Sequence, residues 1–335
     1  MRAWSLPTFG AERLQLVDVE PQPVGPTQVR LRVEACSLNY RDYMVVEGHY
    51  DPRLPLPLVP LSDGAGRVTE VGETVEGLKI GDRVAATFFQ DWEAGPVPEG
   101  RRLRRTRGGL LPGMLQEEIL LDQRELVRVP AHLNAGEAAS LPCAGVTAWS
   151  ALIEQGRLTA GDTLLVQGTG GVALFALGLA KMVGAEVAIL SSSPERLERA
   201  LALGADHGVC TKDWPEWGDR VRKLTGGVTH VLELGGADTL TQTLRCVRPG
   251  GYVALVGVLG GTRPHLDLLS VVMRNVRLQG VIVGSRQSFL SLNRALEAGG
   301  LHPAIDRRVP FEGAKDALAS FGIGGHFGKV VIELV

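Results

Sequence analysis

A chain of 335 residues exceeds what one hydrophobic core usually organises, and 44% apolar with 21% charged residues is the composition of an ordinary globular protein of two domains. Its formal net charge of −2 removes the basic footprint of a nucleic-acid binder. The amino terminus MRAWSLPTFG lacks a basic segment followed by an apolar run, and no apolar run is long enough to span a bilayer. The reading is therefore a cytoplasmic protein with neither membrane nor nucleic acid as a partner. Cys36, Cys143, Cys210 and Cys246 are far apart and form no Cys-x-x-Cys pair, which makes them reduced thiols rather than a disulfide or zinc framework.

From Met1 to about Pro130 short, partly alternating runs such as LQLVDVE, QVRLRVEA and GRVTEVG are divided by Pro and Gly, the pattern of a β-rich barrel or sandwich. Within it PRLPLPLVP, from Pro52 to Pro60, excludes helix and predicts an extended loop. The basic run RRLRRTR, from Arg101 to Arg107, reads as a solvated loop, with an anion or partner contact as the alternative.

After about Ala144 the texture changes. The runs TLLVQG, EVAIL, HGVC, THVLEL, YVALVG and LQGVIVG recur with helix-like segments between most of them, which predicts a parallel sheet with helices on both faces. The helix from Pro194 to Leu203 is punctuated by Ser193 as its N-cap, Pro194 at its first position and Gly204 after its end. The last segment, GAKDALASFGIGGHFGKVVIELV, predicts a helix and a terminal strand that rejoin the first domain.

Between the first two of these strands, LLVQGTGGVALFALGLA carries Gly168, Gly170 and Ala173 in the pattern G-x-G-x-x-G/A, after a strand and opening a helix. Gly168 allows the tight turn, Gly170 a close approach of backbone to a pyrophosphate, and Ala173 close packing of helix on sheet. The N–H groups of Gly171 and Val172 then face the phosphates at the positive end of the helix dipole. The alternative is a turn shaped by glycine with no ligand. The next strand, EVAIL, ends in Ser191, Ser192 and Ser193 with Arg196 one turn on, and carries no acid to repel a ribose 2′-phosphate. The expected cofactor is NADP(H), although Ser193 also serves as a helix cap.

The succession ACSLNYRD (Ala35 to Asp42), PLSDGAG (Pro60 to Gly66), LPCAGVTAW (Leu141 to Trp149), VQGTGGVALFALGLAK, LGADHGV and HFGKVVI resembles the medium-chain dehydrogenase/reductase superfamily, and within it the zinc-free quinone oxidoreductase (zeta-crystallin-like) branch. The resemblance covers essentially the whole chain. It implies an α/β fold: a Rossmann doubly wound parallel sheet over residues 144–285 and a β-rich GroES-like catalytic domain over 1–143 and 286–335. It also implies a cleft between them and a homodimer. Against the zinc enzymes of the superfamily, the cysteine, histidine and cysteine ligand positions fall on Asn39, Ser62 and Cys143, and the four-cysteine lobe is missing. With only Asp63 nearby to help, no metal is expected.

A carbonyl must then be polarised by hydrogen bonds. By the resemblance Asn39 and Thr147 lie near the nicotinamide and Tyr50 at the substrate, while backbone near Val256 and Val283 holds the carboxamide and Lys329 reaches the pyrophosphate, with Asp63 as its buried partner. Two further tyrosine positions of the branch fall on Met44 and Thr211. Asn39 reads equally as the cap of a short helix, Tyr40 as a packed tyrosine with a wet hydroxyl, Asp42 as a first-turn helix carboxylate, Cys143 as a small core residue and His49 as a loop residue. The expected function is NADPH-dependent hydride transfer to a quinone or α,β-unsaturated carbonyl. The alternatives are a zinc-free NADP-dependent alcohol dehydrogenase or carbonyl reductase, and a non-enzymatic NADPH-sensing protein.

Overall fold

The computed structural model describes residues 1–334 and divides into two compact units, Met1–Val146 with Gly284–Val335, and Thr147–Val283.

The first unit is built on a seven-stranded sheet whose long central strand is Gln28–Ser37. Along it Val29, Leu31 and Val33 are buried while Arg32 is exposed, the two-residue period of a strand with one face on a core. That core gathers Leu31, Leu38, Leu61, Met114, Leu121, Leu318 and Ile332. Helix Ala314–Phe321 adds Ala314, Ala317, Leu318 and Phe321, which share one face at helical spacing. The strands on either side of Gln28–Ser37 are Asp63–Val71 and Lys329–Glu333, both antiparallel to it. The register sets Ser37 opposite both Asp63 and Val331, and this pairing brings distant charged residues together. Close approach of the first two strands depends on Gly66, where a Cβ would lie 2.0 Å from the Arg32 carbonyl oxygen.

The basic run stays in water over most of its length, with Arg101, Arg102 and Arg104 exposed, and only its end is drawn into the fold. Arg101–Arg104 forms one helical turn, Arg104 and Arg105 reach Asp51 and Asp91 at 2.8 Å each, and Arg107 is buried against Glu125. Carboxylates distant in sequence pair with Arg104 and Arg105 at the surface and with Arg107 inside.

The second unit is a six-stranded parallel sheet in the order His207–Cys210, Glu186–Ser191, Thr163–Gln167, Val228–Glu233, Val247–Leu255, Arg277–Gly280. Counted within the unit this is the order 3-2-1-4-5-6 of a doubly wound nucleotide-binding sheet. Every residue of Thr163–Gln167 is buried, as a central parallel strand covered on both faces requires. Helix Pro194–Ala202 begins at Ser193, whose Oγ accepts from the Arg196 amide at 3.3 Å. The last strand stops at Gly280, short of the run LQGVIVG, and Val283 beyond it takes a left-handed φ of 47°.

Candidate active site

In the first unit Asn39 stands at the N-cap of helix Tyr40–Val46 in extended backbone. The Asp42 carboxylate locks this start, accepting from the Asn39 amide at 2.9 Å and the Ser62 amide at 3.1 Å. Asp42 is therefore the first-turn helix carboxylate that its sequence position indicates. With the backbone held in this way, the Asn39 side chain enters a buried polar chain. Its Oδ1 accepts from Lys329 Nζ at 2.5 Å and its Nδ2 donates to Ser62 Oγ at 3.4 Å. Ser62 Oγ donates to Asp63 Oδ1 at 2.8 Å, and Asp63 Oδ2 accepts from the Cys143 backbone amide at 3.1 Å. Because an ammonium can only donate, its contact fixes which end of the amide is oxygen.

Ser62, Asp63 and Asp42 are buried, and Lys329 is only 3% exposed. Burial pushes Asp63 up to about 6, with Lys329 opposing the rise and Asp42 adding to it. Burial likewise raises Asp42 and lowers Lys329 from their ordinary values.

Two expectations are corrected here. Asp63 and Lys329 make no ion-pair contact: the carboxylate is taken up by Ser62 and Cys143, while the ammonium is held by Asn39 Oδ1 and, at 2.7 Å, the Leu38 carbonyl. Lys329, expected at the pyrophosphate, places two of its three N–H donors on oxygens of its own unit. Cys143 is half-buried rather than a core residue, although its neighbours in the segment of wide helical turns Leu141–Gly145 are all buried. Tyr40 is exposed, with its ring 5.8 Å from that of Tyr43. Tyr50 is 48% exposed with the Arg41 guanidinium 5.2 Å from its ring centre, outside the hydrogen-bonded chain of Asn39.

This donor set does not fit a catalytic zinc, which needs three anionic or imidazole ligands around an open position. An ammonium occupies the amide oxygen, Ser62 offers a neutral hydroxyl, and the Asp63 oxygens are spent on hydrogen bonds. Among the described residues no group of three or more His, Cys, Asp or Glu side chains could hold a metal ion.

The second unit carries a glycine turn between a strand and a helix. Strand Thr163–Gln167 turns at Gly168, whose φ of 78° suits glycine and whose absent Cβ would meet nothing within 4 Å. Gly170 is the N-cap of helix Gly171–Met182, so the first-turn amides of Gly171 and Val172 have no intrahelical acceptor. Ala173 is fully buried against the sheet. An anion fits this turn on its open face. At the end of Glu186–Ser191, Ser191 is buried and accepts from the Ser193 amide at 3.1 Å, whereas Ser192 is exposed with Arg196 Nη2 at 3.4 Å. Thr147 is buried at the start of the unit, in helix Val146–Trp149. The Val256 amide donates to the Glu233 carbonyl at 3.0 Å, and Val283 is a buried β-branched residue in a strained left-handed conformation.

Sequence reasoning missed Gln167 and Glu233. Glu233 is fully buried and accepts from the Gly235 and Gly236 amides at 3.0 and 2.9 Å, while Gln167 Oε1 accepts from the Leu234 and Gly235 amides at 3.1 Å each. Gln167 Nε2 donates to Glu233 at 2.6 Å. Together they freeze the turn after Val228–Glu233, beside the Gly168 turn in strand order. The available signal was a polar residue closing each of two apolar runs, TLLVQ and THVLE.

The chain matches the family described as alcohol dehydrogenase GroES-like domain over residues 25–131, and that described as zinc-binding dehydrogenase over residues 171–298. A zinc-type alcohol dehydrogenase-like protein of Schizosaccharomyces pombe is 38% identical, covering 97% of this chain and 96% of its own. Quinone oxidoreductase-like protein 2 of Rattus norvegicus is 27% identical over 96% of this chain and 89% of its own. The crystal structure of an NAD-dependent alcohol dehydrogenase, 31% identical, superposes with a TM-score of 0.91 over 100% of both chains. The chain belongs to the medium-chain dehydrogenase/reductase superfamily and is an oxidoreductase that uses a nicotinamide cofactor.

Proposed function

We propose that this enzyme works without zinc and uses NADPH to reduce a quinone or an α,β-unsaturated carbonyl. The observation that carries this reading is the Asn39 side chain, held by Lys329 and Ser62 at a position where zinc relatives place a metal ligand. When bound, the reduced nicotinamide supplies a hydride to an electrophilic carbon of the acceptor. Gly168, Gly170, Gly171 and Val172 hold its pyrophosphate, and backbone at Val256 and Val283 holds its carboxamide. The strain at Val283 supports that role, since a buried valine at positive φ persists only where its surroundings impose it. Asn39, with the Tyr50 hydroxyl, donates to the acceptor oxygen as negative charge gathers there, and solvent supplies the proton.

Preference for NADPH is supported by Ser192 and Arg196. A hydroxyl and a guanidinium stand at the end of the second strand, where enzymes that prefer NAD place an acid. An initial-rate assay with NADPH and NADH against quinones, enones and aldehydes tests the reading. NADPH is expected to be preferred, and Asn39→Ala to lower kcat about 100-fold with little change in cofactor affinity. Faster turnover with NADH overturns the cofactor assignment, and an Asn39→Ala enzyme with unchanged turnover overturns the role of the amide.

A second reading, reduction of simple carbonyls or oxidation of alcohols on the same scaffold, is favoured by the relatives named alcohol dehydrogenase. Higher activity on short alcohols with NADP⁺ than on enones with NADPH selects it.

We also propose a homodimer. Leu268, Leu269, Val272 and Met273 are between 63% and 74% exposed next to Arg277–Gly280, the terminal strand of its sheet, and a second copy that covers them removes both the apolar patch and the open edge. No helix among the described residues is long and apolar enough to cross a membrane.

A further inference from the structure

Lys329 is a buried ammonium with no carboxylate in ion-pair contact among the described residues. Its two acceptors are neutral and lie in one segment: the Leu38 carbonyl at 2.7 Å and the adjoining Asn39 side chain at 2.5 Å. Strand pairing fixes the lysine from behind, since the Leu38 amide donates to the Val330 carbonyl at 3.0 Å. Asp63 and Asp42 act on the ammonium only from beyond ion-pair distance, so its desolvation is incompletely repaid and the arrangement is a poor way to stabilise a fold. The arrangement does give the Asn39 amide a single orientation and a direction of polarisation. An ammonium on Oδ1 draws electron density toward oxygen, and hydrogen bonds in such chains strengthen one another. The Nδ2 hydrogens become better donors. One of them is directed at Ser62 Oγ across a long 3.4 Å contact.

We infer that Lys329 is a positioning residue for hydride transfer: its ammonium locks the Asn39 amide with Nδ2 presented to the acceptor oxygen and lends that donor part of its positive charge. In this way one neutral side chain delivers to a developing oxyanion some of the electrostatic stabilisation that a metal supplies in zinc relatives. The inference rests on the reading of Asn39 as the oxyanion donor. It differs from a cofactor contact, which acts on affinity for the dinucleotide.

A double-mutant cycle separates these possibilities. The full-length protein, saturated with NADPH, is assayed on whichever of 1,4-benzoquinone, 2-cyclohexenone and hexanal the wild type reduces fastest. The variants are Asn39→Ala, Lys329→Met and the two combined. Lys329→Met is expected to lower kcat at least about tenfold with an unchanged KM for NADPH, and to have no further effect, within about twofold, once Asn39 is alanine. Losses that multiply in the double variant overturn the inference, since the lysine then acts independently of the amide. A raised KM for NADPH with kcat intact overturns it in favour of a cofactor contact. A silent Asn39→Ala beside an impaired Lys329→Met sinks both the oxyanion-donor reading and the inference, whereas strong but independent losses sink the inference alone. If Lys329→Met does not melt cooperatively, the cycle is run in an Asp63→Asn background, so that Lys329→Met and Asp63→Asn together remove one charge of each sign from the cluster; the same criteria apply.

Discussion

Asp63 is the residue whose burial is most directly measurable. Its folded value of about 6 lies above the value near 3.9 of an unfolded chain, so between the two the folded state keeps a proton that the unfolded state has lost. Its contribution to stability is complete below about pH 4 and falls by about 3 kcal/mol as pH rises to about 6 and beyond. Asp63→Asn removes that dependence. Denaturant unfolding at a series of pH values is expected to show the difference between wild type and variant declining across this window, and a flat difference contradicts the buried, proton-holding acid. Asn39, Ser62 and Cys143 sit in short local motifs that the sequence displays directly. The partner of Lys329 was not legible, because the contact joins positions 290 apart in sequence and depends on strand register. Charge complementarity alone pointed to Asp63, but the Ser62 hydroxyl and Cys143 amide satisfy that carboxylate first.

The element that reads most clearly from sequence is the strand, glycine turn and helix around Gly168. Its signature is local: an apolar run, a residue that needs positive φ, then a helix whose small residue packs on the sheet. Gly168→Ala meets no steric obstacle, so its cost is conformational, about 1 kcal/mol of stability by chemical denaturation. A Cβ on the open face is expected to weaken NADPH binding at least about tenfold, as read by tryptophan fluorescence; unaltered binding contradicts the phosphate turn. Arg196→Ala is expected to raise KM for NADPH about tenfold and leave that for NADH unchanged, since one charge-assisted contact to a 2′-phosphate is lost. An equal effect on both cofactors removes Arg196 from that role. Elements shaped by tertiary packing were less legible. The wide turns of Leu141–Gly145 and Ser150–Gln155 have no periodic signature, and the last strand ends at Gly280 within an apolar run that does not mark the stop. The arginine run is solvated over Arg101, Arg102 and Arg104, and what the sequence did not show is its ion-pair partners, contributed by Asp51, Asp91 and Glu125.

At the scale of the whole molecule, alternation of strand and helix runs was enough to specify a parallel sheet, because each crossover demands a helix and both faces must be covered. The apolar surface beside Arg277–Gly280 was not legible, since a run that faces a partner has the same composition as one that faces a core. Met273→Asp and Val272→Asp together are expected to convert a dimer to monomer in sedimentation velocity while the monomer stays folded; a wild type that sediments as a monomer at micromolar concentration contradicts the pairing. The account turns, however, on the claim that fixed hydrogen-bond donors, ordered by a buried lysine, polarise the acceptor without zinc. The direct test is the kcat for NADPH oxidation, on the best quinone or enone, of protein stripped by a strong chelator and verified metal-free. The account predicts the same kcat as the untreated enzyme and no gain on adding zinc. Loss of turnover on stripping, restored by one equivalent of zinc per chain, contradicts it.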